Sequence, residues 1–198
     1  FALGGLAAYI GQGMTFSITQ YVNLYVWQFN EVGFQIYPAV LALSVLLMFV
    51  LVGPLHKRYG KPKSAASGAI VSLIFYFTPF VLLLAGLWPE TGTTLSTVMV
   101  LGLLIIANTG GVISLISATS MVAEIVEAYE DRTGKRAEGT FYSGNWLVQK
   151  CATGVGILST SLIIQTLGIE QGTPQDQVSQ ATVAQLSLIY VVVRVSFA

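Results

Sequence analysis

Residues 141–165 read FYSGNWLVQKCATGVGILSTSLIIQ and carry a single charged side chain, Lys150. The run is long enough to cross a bilayer as one helix, which takes about 20 apolar residues. At about 1.5 Å per residue, Lys150 lies roughly 15 Å from a helix start near Gly139, at the middle of a hydrocarbon core about 30 Å thick. A lysine at that depth is costly and usually faces a protein interior or water. The stretch therefore predicts a membrane helix and makes Lys150 the first candidate for function.

The composition extends this interpretation to the whole chain. Its 198 residues are 54% hydrophobic and 9% charged, with a mean hydropathy of +0.73. Soluble domains carry about 25% charged residues, and a soluble chain of this length has too little interior to hide so much apolar surface. We therefore predict an integral membrane protein in contact with a lipid bilayer. The net charge of zero argues against nucleic acid as a partner, and the single cysteine, Cys151, excludes an internal disulfide.

Six apolar segments follow one another, separated by short connections rich in glycine, proline or charge. Membrane β-strands need only about ten alternating residues, so continuous apolar runs of this length favour helices. The fourth segment is long enough for its C-terminal end to project from the membrane. The sequence thus predicts an all-α fold, a six-transmembrane-helix bundle, with segments at about 1–27, 34–55, 64–88, 95–126, 139–167 and 181–198.

The basic residues predict the orientation in the membrane. Alternate connections lie on the same side of a bilayer, and the connections after the second and fourth segments hold seven of the nine Lys and Arg residues. The other three connections hold none. By the positive-inside rule, the loops at residues 56–63 and 128–138 are cytoplasmic. The two remaining basic residues, Lys150 and Arg194, fall within predicted spans.

A specific pattern lies between the fourth and fifth segments. Residues 120–142 read SMVAEIVEAYEDRTGKRAEGTFY, and Gln149-Lys150 follow in the next segment. This run resembles the glycoside–pentoside–hexuronide:cation symporter family, a melibiose-permease-like branch of the major facilitator superfamily. The family pattern is roughly Met-x-Ala-Asp-x-x-Asp-Tyr, then Thr-Gly-x-Arg-x-Glu-Gly, an aromatic pair and a lysine in the next helix. Glu124 and Glu127 stand where the family has aspartates.

The resemblance implies that the chain is the C-terminal half of a twelve-helix transporter. Because it begins with Phe1 rather than Met and stops at Ala198 in a hydrophobic run, we expect it to be truncated at both ends. The implied partners are an N-terminal six-helix half and a small polar solute. The resemblance also implies a bacterial inner (plasma) membrane and a coupling cation, Na⁺ or H⁺, bound mainly by the N-terminal half. No cofactor is expected.

Lys150 heads the candidates for the solute site. It shares a helical face with Trp146 and Thr153, and the resemblance implies that it lies in the central cavity. The alternative is a structural lysine that pairs with a carboxylate or reaches an interface. Asn145 and Gln149, which flank Lys150, are candidates with it. Tyr21 in the first segment and Asn108 in the fourth are further candidates. The alternative for Tyr21 is helix–helix hydrogen bonding together with an interfacial aromatic belt, and the alternative for Asn108 is helix packing.

Charged residues at the predicted cytoplasmic helix ends are candidates for a gate. Ion pairs among them would hold one state and break as two halves of a transporter rock. Ordinary solvated charge, worth under about 1 kcal/mol per pair, is the alternative. His56 is expected to be simply exposed, and Arg194 either lines the cavity or indicates a shallower last segment. The gate candidates are Arg58, Glu124, Glu127, Arg132 and Arg136.

No enzyme motif and no His/Cys metal spacing stand out. We predict part of a secondary active transporter, a cation-coupled symporter of a sugar or related small polar solute that works by alternating access. The alternatives are a lysolipid or organic-anion transporter of the same superfamily, and a non-transporting polytopic membrane protein. Apart from the fourth, the spans hold no acidic residue at mid-depth. The chain alone is therefore not expected to couple transport to a cation.

Overall fold

The structure, a computed structural model, describes residues 2–134, 138–169 and 173–196. Long α-helices form nearly all of this part, and it contains no strand. A π-helical turn, Val22–Val26, follows the first helix, and a short 3-10 turn, Gln175–Gln177, precedes the last. The predicted all-α fold is confirmed. The helices are α1 (Ala2–Tyr21), α2 (Glu31–Tyr59), α3 (Lys61–Leu84), α4 (Thr94–Thr133), α5 (Glu138–Thr166) and α6 (Gln180–Ser196).

Four of the described helices, α2 to α5, are long and apolar enough to cross a membrane. With 17 residues, α6 is shorter, and α1, with 20 residues, is not among the four. At about 1.5 Å per residue the 40 residues of α4 reach about 60 Å, twice the thickness of a bilayer core. One end of α4 therefore extends beyond the membrane, as predicted.

The contacts divide the chain into two compact units of three main helices each. Unit 1 contains α1, α6, the part of α5 from Ser143 onward and the turn Glu90–Thr93. Unit 2 contains α2, α3, α4 and the first residues of α5, up to Tyr142. The candidates near Lys150 belong to unit 1, whereas Asn108 and the gate candidates within the described residues belong to unit 2.

The predicted end of the second span is wrong. The glycine, proline and charged residues after the second segment predicted that it ends near residue 55, but α2 continues through Gly53 and Pro54 to Tyr59. A proline inside a membrane helix is tolerated where neighbouring groups satisfy the freed backbone. The connection shrinks to Gly60, whose φ of 77° favours glycine and whose N–H donates to the His56 carbonyl at 3.0 Å. The predicted loops at 56–63 and 128–138 are thus mostly helix ends, α4 reaching Thr133.

Unit 2 is packed through two facing glycines. A Cβ atom built on Gly68 of α3 would lie 2.6 Å from the carbonyl oxygen of Gly110 of α4, and the converse distance is also 2.6 Å. Side chains larger than hydrogen at these positions would force the helices apart, and such close approach is how membrane helices associate. The hydroxyl of Thr109 donates to the Ser44 carbonyl at 3.2 Å and ties α2 to α4.

Candidate solute site on helices α1 and α5

A row of polar and small residues on α5 faces α1. The Tyr9 hydroxyl donates to Asn145 Oδ1 at 2.9 Å, and Gln149 Nε2 approaches Gln12 Oε1 at 3.5 Å, the long limit of a hydrogen bond. The spacing of four residues along α5 places these side chains on one face. The complete row is Asn145, Gln149, Thr153, Gly156 and Thr160.

Backbone contact continues this α1–α5 interface. A Cβ atom on Gly156 would collide with the Ile10 carbonyl oxygen and lie 2.8 Å from the Met14 nitrogen. A Cβ atom on Gly13 would likewise collide with the backbone of Thr153. The two helices can therefore approach closely only because both positions are glycine. This close packing holds the polar pairs of the row in a fixed register.

Lys150 and Trp146 lie on a neighbouring face of α5 and are both exposed on the described chain. Lys150 Nζ is 5.6 Å from the centroid of the Trp146 ring, within the range of a cation–π interaction. The indole is 56% exposed. Lys150 makes no ion pair within the described part of the chain. The arrangement thus presents a cation beside an open aromatic face, with the amides of Asn145 and Gln149 on the adjacent face.

Tyr21 is not brought close to this cluster. It ends α1, nine residues beyond Gln12, which is about 13 Å along the helix. Its ring stacks on that of Tyr25, with centroids 6.4 Å apart, and the Tyr25 hydroxyl donates to the Thr173 carbonyl at 3.0 Å. Asn108 is half-buried on α4 in unit 2. The six solute-site candidates therefore divide into a cluster of four on α5 and two residues placed elsewhere.

The gate candidates are also only partly brought together. Glu124 forms an ion pair with Lys61 at the start of α3, which was not among the gate candidates. Glu127 and Arg132 are exposed and form no ion pair within the described residues. Arg58 lies 5.3 Å over the ring of Tyr59, its neighbour in the chain. Arg136 lies outside the described residues.

The sequence predicted that His56 is simply exposed, and this prediction is wrong. The residue is half-buried, and its Nε2 atom lies 2.7 Å from the Ser117 hydroxyl. That hydroxyl also lies within hydrogen-bond distance of the Ile113 carbonyl, so the contact ties the end of α2 to α4. The prediction failed because α2 extends past Pro54 and carries His56 against α4. Arg194 is half-buried on α6, with its guanidinium 5.7 Å over the Tyr190 ring.

Sequence reasoning missed two features of unit 1. Tyr9 was not a predicted site residue. Residues three or four apart lie on the same face of a helix, so Tyr9 and Gln12 share a face of α1 just as Asn145 and Gln149 share a face of α5. The π-helical turn at Val22–Val26 was not predicted either, and such turns are frequent at functional sites. Within it, the buried side-chain nitrogen of Asn23 has no hydrogen-bond partner in the described chain.

Comparison with known protein families decides the affiliation. A family model described as "MFS/sugar transport protein" matches residues 1–198, the whole chain. The chain belongs to this family. The resemblance seen in residues 120–142 is thereby confirmed. The family consists of membrane transporters of the major facilitator superfamily. Neither curated proteins nor solved structures gave a match.

Proposed function

We propose that this chain is the C-terminal six-helix half of a cation-coupled symporter for a sugar or a related small polar solute. The family supports transport by a major facilitator protein. The proposal adds alternating access, in which two halves rock around a solute site near the midplane. A bacterial inner membrane, with the basic helix ends in the cytoplasm, is part of the same proposal.

One observation carries the proposal: Lys150 is exposed midway along α5 and sits over the ring of Trp146. A lysine that faced lipid at this depth would be strongly unfavourable. We therefore expect the face of α5 that carries Lys150 to line a water-filled path or to contact the other half of the transporter. A cation, an indole face and neighbouring amides together suit a hydroxyl-rich ring that stacks and accepts or donates hydrogen bonds.

The polar row beside Lys150 gives this site a rigid support. Asn145 is positioned by Tyr9, and Gly156 and Gly13 fix the distance between α5 and α1. In our proposal Asn145 and Gln149 contact the solute with the part of their amide groups that α1 does not engage. The described part of α5 and α1 contributes no carboxylate to this cluster, so the coupling cation is assigned to acidic residues of the other half.

The gate in this proposal is built on the Lys61–Glu124 ion pair between α3 and α4. Its side chains are 31% and 58% exposed, and exposed pairs contribute about 1 kcal/mol or less. An interaction of that size can form in one state and break in another during each transport cycle. Glu127, Arg132, Arg136 and Arg58 are the further charges available to pair with the other half.

A lysolipid or an organic anion is the second candidate substrate. The same Lys150 cation would serve an anionic headgroup, and the apolar stretch of α5 beyond it would accompany an acyl chain. The Trp146 ring favours the sugar, because a ring stacked on an open indole face gains contact area that a phosphate does not.

Reconstituted uptake tests the proposed function. The complete transporter and this chain alone would be placed in separate liposomes and given labelled galactoside, hexuronide or lysophospholipid, with an imposed Na⁺ or H⁺ gradient. We expect gradient-driven accumulation of one polar solute by the complete protein and none by this chain alone, because the coupling carboxylates lie elsewhere.

Two results would speak against parts of this proposal. Transport of the lysophospholipid in place of the polar solutes would favour the second candidate. Robust cation-driven uptake by this chain alone would contradict the assignment of coupling to the other half. Liposomes without protein, carrying the same gradient, provide the baseline.

A further inference from the structure

A groove opens on unit 2 between α2 and α3, with α4 as its floor. Its volume is about 570 Å³, which is within the range of small-molecule sites. The floor includes the buried residues Thr109, Gly110 and Ile113. The α2 wall is formed by side chains four residues apart, which places them in one line along the helix. They are Leu47, Leu51, Leu55 and Tyr59.

One end of the groove is chemically different from the rest. Tyr59, the last residue of α2, and Lys63, in the first turn of α3, line it there. Lys63 is exposed and forms no ion pair within the described part of the chain. The remainder of the lining is almost entirely apolar. The groove thus combines an apolar trough with one uncompensated cation and one phenol at its mouth.

We propose that this groove binds an acyl chain of an anionic phospholipid in the cytoplasmic leaflet, with the lipid phosphate against Lys63 and Tyr59. The inference rests on the chain's location in a membrane and is independent of the solute transported. The basic end lies on the side that the positive-inside rule makes cytoplasmic, where anionic lipids give the surface its negative potential.

The dimensions fit a lipid of a single leaflet. From Leu47 to Tyr59 the α2 wall extends over about 18 Å, and half of a hydrocarbon core is about 15 Å. Leu47 and Leu51 are 38% and 45% exposed, so the chain itself leaves the trough open. An acyl chain lying along this wall would begin at the level of the Lys63 ammonium and end near the bilayer midplane.

Native mass spectrometry of the complete transporter tests the charge at the mouth. Phosphatidylglycerol and phosphatidylcholine with identical acyl chains would be titrated onto the purified protein. We expect preferential binding of phosphatidylglycerol and an affinity about fivefold lower in Lys63→Gln, since one lysine near a headgroup contributes about that factor. Phosphatidylcholine should lose less affinity, because its choline cation already offsets the charge of the phosphate that Lys63 would contact. The matched control, Lys57→Gln, removes a charge of the same stretch outside the groove and should behave like the wild type.

A second pair of variants tests the trough. Leu51→Trp fills the groove and should abolish binding of both lipids, whereas Leu46→Trp, at an exposed α2 position outside the lining, should not. Should Leu51→Trp fold poorly, Ser67→Phe fills the groove from α3 and is judged in the same way. Equal losses in Lys57→Gln and Lys63→Gln, or wild-type lipid binding in the filled variants, would overturn the proposal. The proposal would also be overturned if neither lipid bound specifically to the wild-type protein, a result expected if another part of the protein covers the groove.

Discussion

Replacing Lys150 with methionine should abolish solute uptake while the protein still folds. The ammonium group is exposed, sits over Trp146 and forms no ion pair within the described chain. Its removal therefore leaves no carboxylate buried without a partner in this part of the protein, and methionine retains most of the side-chain volume. A charged contact to a bound ligand is commonly worth about 2 kcal/mol or more, so we expect uptake to fall at least about 25-fold.

Initial uptake rates and thermal unfolding of the same preparations would separate the two roles of Lys150. Lys150→Arg keeps the charge and should retain part of the uptake, although its planar group changes the geometry. Cys151→Ala alters the adjacent residue without touching the cation and should transport like the wild type. Loss of folded protein in Lys150→Met, with normal transport by the remaining fraction, would instead support a structural lysine.

Replacing Gly156 with leucine should destabilise the packing of α5 on α1 severely. Its Cβ atom would collide with the Ile10 carbonyl and press on the Met14 nitrogen, and neither backbone group can rotate away as a side chain would. Adding side-chain volume to a well-packed interface costs about 1–3 kcal/mol of stability. Because the new side chain would meet backbone atoms of α1, we expect a loss of stability near the upper end of that range. We expect a clear drop in the unfolding temperature in detergent and loss of transport.

The chain offers a matched control two residues away. A Cβ atom on Gly154, on the same helix, meets nothing within 4 Å, so Gly154→Leu adds the same side chain to the same helix without a collision. It should unfold within a degree or two of the wild type. Equal destabilisation by both leucines would show that helix propensity or solvation, and not the α1–α5 contact, governs the effect.

The membrane helices could be predicted because their signal is local. Each needs only a long apolar run, and the run around Lys150 identified α5 without any knowledge of its neighbours. The end of α2 was misjudged because Gly53-Pro54 is a turn signal in isolation, and only packing against α4 shows that the helix continues. That continuation is what brings His56 to Ser117.

The site could be predicted only to the level of a helix face. The periodicity of α5 placed Trp146 with Lys150, and the contact is present. Which side chain of α1 meets Asn145 depends on the register between two helices, and the register is set by the close approach at Gly13 and Gly156. A glycine in a membrane segment does not reveal its partner, so Tyr9 was overlooked. Tyr21 lies at the end of α1, away from this contact, and its role in solute binding stays a prediction.

The face of α5 that carries Lys150 can be examined directly by cysteine labelling of the complete transporter. Cys151 is an internal reference, because it lies at the same depth and continues the exposed apolar line of Leu147 and Leu158. Versions with one cysteine, at position 146, 150 or 151, would be treated with a membrane-impermeant thiol reagent. If the Lys150 face lines a water-filled solute path, positions 146 and 150 will be labelled rapidly and Cys151 slowly. Labelling of position 150 no faster than Cys151 would contradict the proposed path.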